Sequence, residues 1–371
     1  MIRQFVLECF VGTARLPRRF ELDRLPATIG RSPECTVQVN VARISRVHAE
    51  IAQAGDDLLL RDLESTNGTF LNGERITDRQ VLQAGDVIHV GDQEFRILEE
   101  AVSSSDNPEE MTQIGIGTLP QGFPVRVREF RELLAERRVM GYIQPITEAD
   151  GTPMGHELLG RGNHDGLGAS PGELFALATA LGEEVALSEL FRQCCFEEAE
   201  AREIRTPLFF NTHPAESSDP KRLIDELRKL RARFPSLNLV FEVHEAAVTD
   251  LEMMSRMRTE LREMGIGLAY DDFGAGQARL QELIEVPPDF LKFDIALVSG
   301  LSGPDSPKFR MLDTLNRMIQ DLGIRTLAEG IETAEEAETC RAIGIDLFQG
   351  YLFGRPFPIA DFTADFEEIS D

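Results

Sequence analysis

The chain has 371 residues and a net charge of −26, from 38 Lys and Arg against 64 Asp and Glu. That length allows two or three domains, or one barrel with a smaller module, and 42% apolar residues allow a full core. The acidity argues against polymeric nucleic acid as a partner, which needs a basic footprint, and no apolar run approaches the ~20 residues of a membrane span.

The charge is unevenly placed. Residues 1–98 hold twelve Arg, no Lys and fourteen acids, so only −2 of the total falls there. Cys9, Cys35, Cys194, Cys195 and Cys340 show no CxxC spacing and no Cys/His cluster. An odd, scattered set of this kind reads as reduced, with a cytoplasmic location as the expectation.

Residues 1–98 alternate in short runs at 5–11, 27–29, 37–39, 49–52, 58–60, 69–71 and 87–90. Turn pairs such as Asn67-Gly68, Asn72-Gly73 and Gly91-Asp92 separate them. The pattern predicts a β-sandwich. Gly30-Arg31, Ser45-Arg46-Val47-His48 and Thr66-Asn67-Gly68 fall in or beside loops. Two arginines, a hydroxyl and an amide at one end of a sandwich suit a phosphate. Residues 99–124 are polar and acidic, punctuated by Gly and Pro, and read as a linker. Within it Thr112 follows two acids, and Thr118 precedes Leu119-Pro120; both are candidate kinase targets.

From residue 125 the period changes. A helix over 125–138 leads into an apolar run at 141–146, then His156-Glu157-Leu158-Leu159-Gly160-Arg161, then helices over 175–181 and 185–201. A series of short apolar strands follows, each with a polar tip: Asn211, Glu242, Asp271-Asp272, Lys292 with Asp294, Glu329 and Gln349. Helical runs at 220–233, 251–264 and 309–322 lie between them. This spacing predicts a TIM-like (β/α)8 barrel with a largely parallel closed sheet, whose site is built from strand tips. Asp271 and Asp272 are adjacent, which makes sense at a strand end where both can turn to one site.

Glu157, Asn211, Glu242, Asp271, Asp272 and Glu329 are all oxygen donors, which favours Mg²⁺ or Mn²⁺ over zinc. A bridging Asp flanked by carboxylates suits two metals about 3.5–4 Å apart, the arrangement of in-line displacement at phosphorus. Lys292 is placed to neutralise phosphate charge or assist the attacking water. These residue types point to metal-dependent phosphoester hydrolysis. Ca²⁺, with its looser geometry, is expected to inhibit.

Two resemblances follow. The pattern GRSPECTVQV, ISRVHAEI, LRDLESTNGTFLNG resembles a forkhead-associated (FHA) domain over residues 1–98. It implies phosphothreonine binding, with Arg31, Ser45 and Arg46 at the phosphate and Thr66 and Asn67 beside the peptide; His48 packs the loops. The ordered set YIQPI, HELLGR, FFN, FEVHE, LAYDDFG, FLKFD, LAEGIE and FQGYLFGRP is similar to the EAL domain, a cyclic di-GMP phosphodiesterase barrel, placed at 125–371. That likeness implies one metal on Glu157, Asn211, Glu242 and Asp271, and a second on Asp271, Asp272 and Glu329. Lys292 would be the catalytic lysine, acting with Glu157, and Glu245 would steady the loop after Asp272. Gln144, Leu159, Arg161, Asp294, Glu332 and Gln349 would line the substrate site or stand just behind its walls. The product would be linear pGpG, and the family pairs as a homodimer through this domain.

The chain departs from the family pattern in places. Leu158 stands where Ala is usual, Asn-x-Ser becomes Asn211-Thr212-His213, and Glu-x-Thr-Glu becomes Glu242-Val243-His244-Glu245. The loop usually written Thr-Gly-Tyr-Ser-Ser is Ala275-Gly276-Gln277-Ala278-Arg279. The alternative reading is therefore a catalytically weak cyclic di-GMP receptor or phosphoprotein scaffold. Either way the FHA module is expected to read a phosphothreonine protein or a Ser/Thr kinase. A phosphorylated Thr112 would dock on Arg31 and Ser45.

Overall fold

The computed structural model describes residues 4–11, 17–55, 57–100, 126–244, 251–274, 280–301 and 303–363. Thr112, Thr118, Glu245 and the 275–279 loop lie outside them, as does all but the first two residues of the expected linker. The described residues form two compact units: those within Met1–Arg138 and His164–Glu183, and those within Val139–Asn163 and Glu184–Asp371.

The first unit is the expected sandwich with two helices. Its strands are β1 (Gln4–Cys9), β2 (Arg18–Glu21), β3 (Ala27–Gly30), β4 (Val37–Gln38), β5 (Ala49–Ala54), β6 (Asp57–Asp62), β7 (Thr69–Leu71), β8 (Glu74–Arg75), β9 (Gln80–Leu82), β10 (Val87–Val90) and β11 (Gln93–Glu100). One sheet runs β2-β1-β11-β10-β7-β8 and the other β4-β3-β5-β6-β9. Leu7, Ile29, Ile51, Leu60, Ile88, Phe95 and Ile97 fill the space between them with almost no exposure.

The expected runs do not include β2, β8, β9 or β11. In β11, Phe95 and Ile97 enter the core, so the charged Glu94 and Arg96 lie on the sheet's other face. That face is covered. Helix α1 (Val127–Glu136) lies on it, and α2 (Pro171–Leu181) completes the unit. Arg96 Nη2 reaches Glu129 Oε1 at 2.5 Å, Arg128 Nη1 lies 3.4 Å from Glu8 Oε1, and Val127 N donates to Glu94 Oε1 at 3.1 Å. Register places Glu8 opposite Arg96, and His89 opposite Glu94, on this second face.

The second unit begins with β12 (Val139–Glu148) and β13 (Pro153–Gly162). A four-residue connection joins them, too short for a crossover, so they pair antiparallel. Then come α3 (Glu184–Ala201), β14 (Leu208–Asn211), α4 (Pro220–Arg233), β15 (Leu239–His244), α5 (Leu251–Glu263), β16 (Gly267–Phe273) and α6 (Leu280–Glu285). The series ends with β17 (Phe290–Phe293), α7 (Ile295–Val298), α8 (Pro307–Asp321), β18 (Arg325–Ala328), α9 (Ala334–Ile343), β19 (Leu347–Phe348) and β20 (Phe357–Pro358). Strands β13 to β19 pair in parallel, and β12 closes the ring between β19 and β13, antiparallel to both. The result is the expected eight-stranded barrel, with one strand reversed. At Gly160 an added Cβ would lie 2.1 Å from Phe191 Cγ, so only glycine lets α3 pack this closely on β13.

The buried face beneath α1 generates a prediction. Burial, helped by Glu129 and opposed by Arg96, pushes the Glu94 carboxyl up to about 7. The unfolded chain releases that proton near 4.5, so stability falls as pH rises from about 4.5 to about 7 and then levels. Glu94→Gln keeps an acceptor for Val127 N and removes the ionisation. Urea unfolding followed from pH 5 to pH 8 is expected to show the variant gaining on the parent as pH rises. A gap that does not change with pH would rule this account out.

Candidate active site at the barrel mouth

Period-two alternation builds the site. Ile146, Phe209, Val240, Ala269, Leu327 and Leu347 form an apolar layer inside the barrel. Two residues further along, the same strand faces carry Gln144, Asn211, Glu242, Asp271, Glu329 and Gln349. Lys292 stands two residues beyond Phe290, which packs against that apolar layer.

Lys292 is fully buried. Its Nζ lies 2.7 Å from Glu242 Oε1, 2.8 Å from Glu329 Oε1, 2.9 Å from Asp271 Oδ1 and 3.6 Å from Glu157 Oε2. Burial alone would lower its pKa, but these four carboxylates together hold it well above the ordinary lysine value. One ammonium cannot neutralise four acids. Burial accordingly pushes Glu242 well above the carboxylate range and Glu329 up to about 8, with Lys292 offsetting part of the shift in each. Neither oxygen of Glu242, nor Asp271 Oδ1, has a well-directed hydrogen bond among the described residues. Buried oxygen donors in excess of cations fit a divalent metal.

Around this cluster, Asn211 Nδ2 donates to Glu157 Oε1 at 2.8 Å, and Gln349 Nε2 donates to Glu157 Oε2 at 2.6 Å. The turn after Asn211 is braced from below. Buried Arg192 on α3 pairs with Glu216 at 2.8 Å and Glu226 at 3.0 Å, and Glu216 Oε1 accepts from His213 N and Ser188 Oγ.

A regular β16 would send Asp271 and Asp272 to opposite faces. Two irregularities prevent this. The pairing with β17 slips between Tyr270 and Phe273, and Asp272 takes a left-handed backbone at φ 56°. Asp271, Asp272 and Glu329 then present oxygens within 4.8 Å of one another. Asp272 Oδ2 also lies 3.1 Å from His244 Nε2, at the end of β15. Burial and Asp271 raise the Asp272 pKa, and His244 opposes them.

A cavity of about 250 Å³ opens beside the cluster. Gln144, Glu157, Glu329, Glu332 and Gln349 line it. Leu159, Arg161 and Asp294 are not among its walls. Leu159 is half-buried opposite Tyr142, Arg161 donates to Gly160 O with its guanidinium over the Tyr142 ring, and Asp294 caps α7 through Ala296 N. Ile295 and Tyr351, not singled out from sequence, stand at the cavity mouth 47% and 50% exposed. The signal was present, since Tyr351 lies inside a quoted motif and Ile295 directly follows Asp294.

In the first unit, the three loops expected at a phosphate are cross-tied. Arg31 N donates to Ser45 O at 3.1 Å, Thr66 N to Ser45 Oγ at 3.1 Å, and Asn67 Nδ2 to Arg43 O at 2.6 Å. Arg31, Arg46 and Thr66 are exposed. His48 is fully buried, and burial lowers its pKa. Ser45 N donates to its Nδ1 at 3.0 Å, so the neutral ring donates from Nε2 to Gly68 O, also 3.0 Å away.

Removing the central cation tests the electrostatic account. Lys292→Met should cost about 3–5 kcal/mol, because the carboxylates stay buried without their partner. Urea unfolding in EDTA measures it, and a loss below about 1 kcal/mol would contradict the ion-pair geometry.

Comparison with known proteins gives a consistent picture. The family model for the EAL domain matches residues 127–356, and that for the FHA domain matches residues 27–91. The cyclic di-GMP phosphodiesterase RocR of Pseudomonas aeruginosa is 31% identical over 229 residues, 58% of this chain and 57% of RocR. The chain spans 57% or less of the length of the curated relatives it matches here, from RocR to MucR. Among solved structures, the MucR phosphodiesterase in complex with cyclic di-GMP is 27% identical with a TM-score of 0.54, covering 60% of this chain and 98% of that one. BlrP1 of Klebsiella pneumoniae with manganese and cyclic di-GMP is 31% identical with a TM-score of 0.52, covering 60% and 57%. No helix among the described residues is long and apolar enough to cross a membrane. The chain belongs to the EAL family and carries an FHA domain ahead of the barrel.

Proposed function

We propose that the barrel hydrolyses cyclic di-GMP to linear pGpG with Mg²⁺ or Mn²⁺, and that the FHA domain targets or regulates it through a phosphothreonine protein. The observation that supports this best is the ring of buried carboxylates about Lys292, opening directly on the cavity. Glu157, Asn211, Glu242 and Asp271 would hold one ion, and Asp271, Asp272 and Glu329 the other. Bound there, divalent ions supply Lewis-acid charge to the phosphoryl group and to the attacking and leaving oxygens.

The chain's own residues carry the rest. Lys292 places a fixed positive charge under the reacting phosphate, where the buried setting makes it count for more than in water. Asn211 and Gln349 each donate to one oxygen of Glu157 and so fix that carboxylate's plane. Ile295 and Tyr351 offer apolar contact at the mouth, where a purine would shed water. In the FHA unit, the backbone ties leave the guanidinium of Arg31 exposed for a phosphate. The buried contacts that fasten α1 to the sandwich support a regulatory reading, since α1 falls inside the EAL family span.

Chromatography of cyclic di-GMP after incubation with full-length protein and Mn²⁺ tests the enzyme. The parent should give pGpG, Glu157→Ala should lose it by at least 100-fold, and excess Ca²⁺ should suppress it. Tight nucleotide binding without pGpG would replace hydrolysis by a receptor role. For the FHA unit, Arg31→Ala should weaken a phosphothreonine peptide by about 1.5–3 kcal/mol. Calorimetry showing equal affinity for the phosphorylated and plain peptides would remove the phosphate-reading role.

A further inference from the structure

We infer that His244 is a positioning residue for Asp272, and that through it this chain sets the strength of the second half of its metal site. The inference rests on the metal reading above and adds a residue outside that ligand set.

Three observations carry it. First, Asp272 is a non-glycine residue at φ 56°, a sparsely populated backbone region that persists only where surroundings enforce it. Second, β15 and β16 pair in parallel with His244 beside Asp271, so the imidazole projects at the rim next to the strand that bends. Alternation sets it on the same face as Glu242, while Val243 is buried in the core outside the barrel. Third, His244 Nε2 lies 3.1 Å from Asp272 Oδ2. An ionised carboxylate only accepts, so Nε2–H donates.

That contact holds the Asp272 carboxylate at the rim, where Asp271, Asp272 and Glu329 each offer an oxygen within 4.8 Å of the others. Partners of this kind fix a ligand's orientation, and losing one lowers metal affinity by roughly 10–100-fold. The left-handed Asp272 and His244 therefore work as a pair.

The test is Mn²⁺ binding to the full chain, followed by the electron paramagnetic resonance signal of free Mn²⁺, with thermal unfolding in EDTA as the folding control. His244→Ala is expected to weaken one Mn²⁺ site by roughly 10–100-fold and leave the other unchanged. His244→Gln, which keeps a donor near the Nε2 position, should recover affinity to within about threefold of the parent. Two parent-like sites in His244→Ala would overturn the inference while leaving the metal reading intact. So would a His244→Gln protein as weak as His244→Ala, which would make the ring a ligand instead. A parent chain that binds no Mn²⁺ removes the metal reading, and this inference with it.

Discussion

The structure turns on one electrostatic constraint: a single buried ammonium among four carboxylates. Neither side of that arrangement is tolerable alone. An unpaired buried lysine would shed its proton, and four unpaired buried acids would not ionise together. The barrel makes the arrangement possible by closing an apolar layer directly beneath it. Because that layer and the charged layer are two residues apart on the same strands, the residues that stabilise the fold and those of the site share one backbone register. A one-residue slip in any strand would turn both of its residues out of the barrel together. The buried Arg192 pairs and the close approach at Gly160 serve the same end, holding strands at fixed height.

The FHA unit answers a different problem. Arg31, Arg46 and Thr66 are exposed on its loops, so backbone and buried groups must hold those loops in place. His48 does much of this by accepting from Ser45 and donating to Gly68 with one neutral ring. Neither a protonated ring nor the other tautomer can make both bonds. The exposed Arg31 and the buried His48 are thus tied through Ser45, which accepts from Arg31 N and donates to the His48 ring.

Much of this was legible before any coordinates. The polar tips at Asn211, Glu242, Asp271, Lys292, Glu329 and Gln349 announced themselves by ending apolar runs, and the structure brings them to one end of the barrel. Alternation in the first 98 residues marked most of the sandwich. Three things were not legible, each for a physical reason. Strand β11 was not among the expected runs, and the partners of its charged Glu94 and Arg96 lie about 33 residues away on α1. The slip that lets Asp271 and Asp272 act together is a backbone event with no residue signature, since aspartate at positive φ is uncommon. The local contacts of Arg161 with Gly160 O and the Tyr142 ring, and of Asp294 with Ala296 N, are likewise not revealed by spacing.

The seam between sandwich and helix bears on how such a chain is assembled over evolutionary time. Modules are commonly imagined as beads joined by inert string, each exchangeable for another sensor. Here the string ends in a helix whose Val127, Arg128 and Glu129 are matched to Glu94, Glu8 and Arg96. Exchanging the sandwich for an unrelated sensor would strip two charges and one backbone N–H of α1 of their partners at once. A successful recombination must carry both faces of the seam together, so the inherited unit is the sandwich with its helix, and the crossover point lies inside the family span.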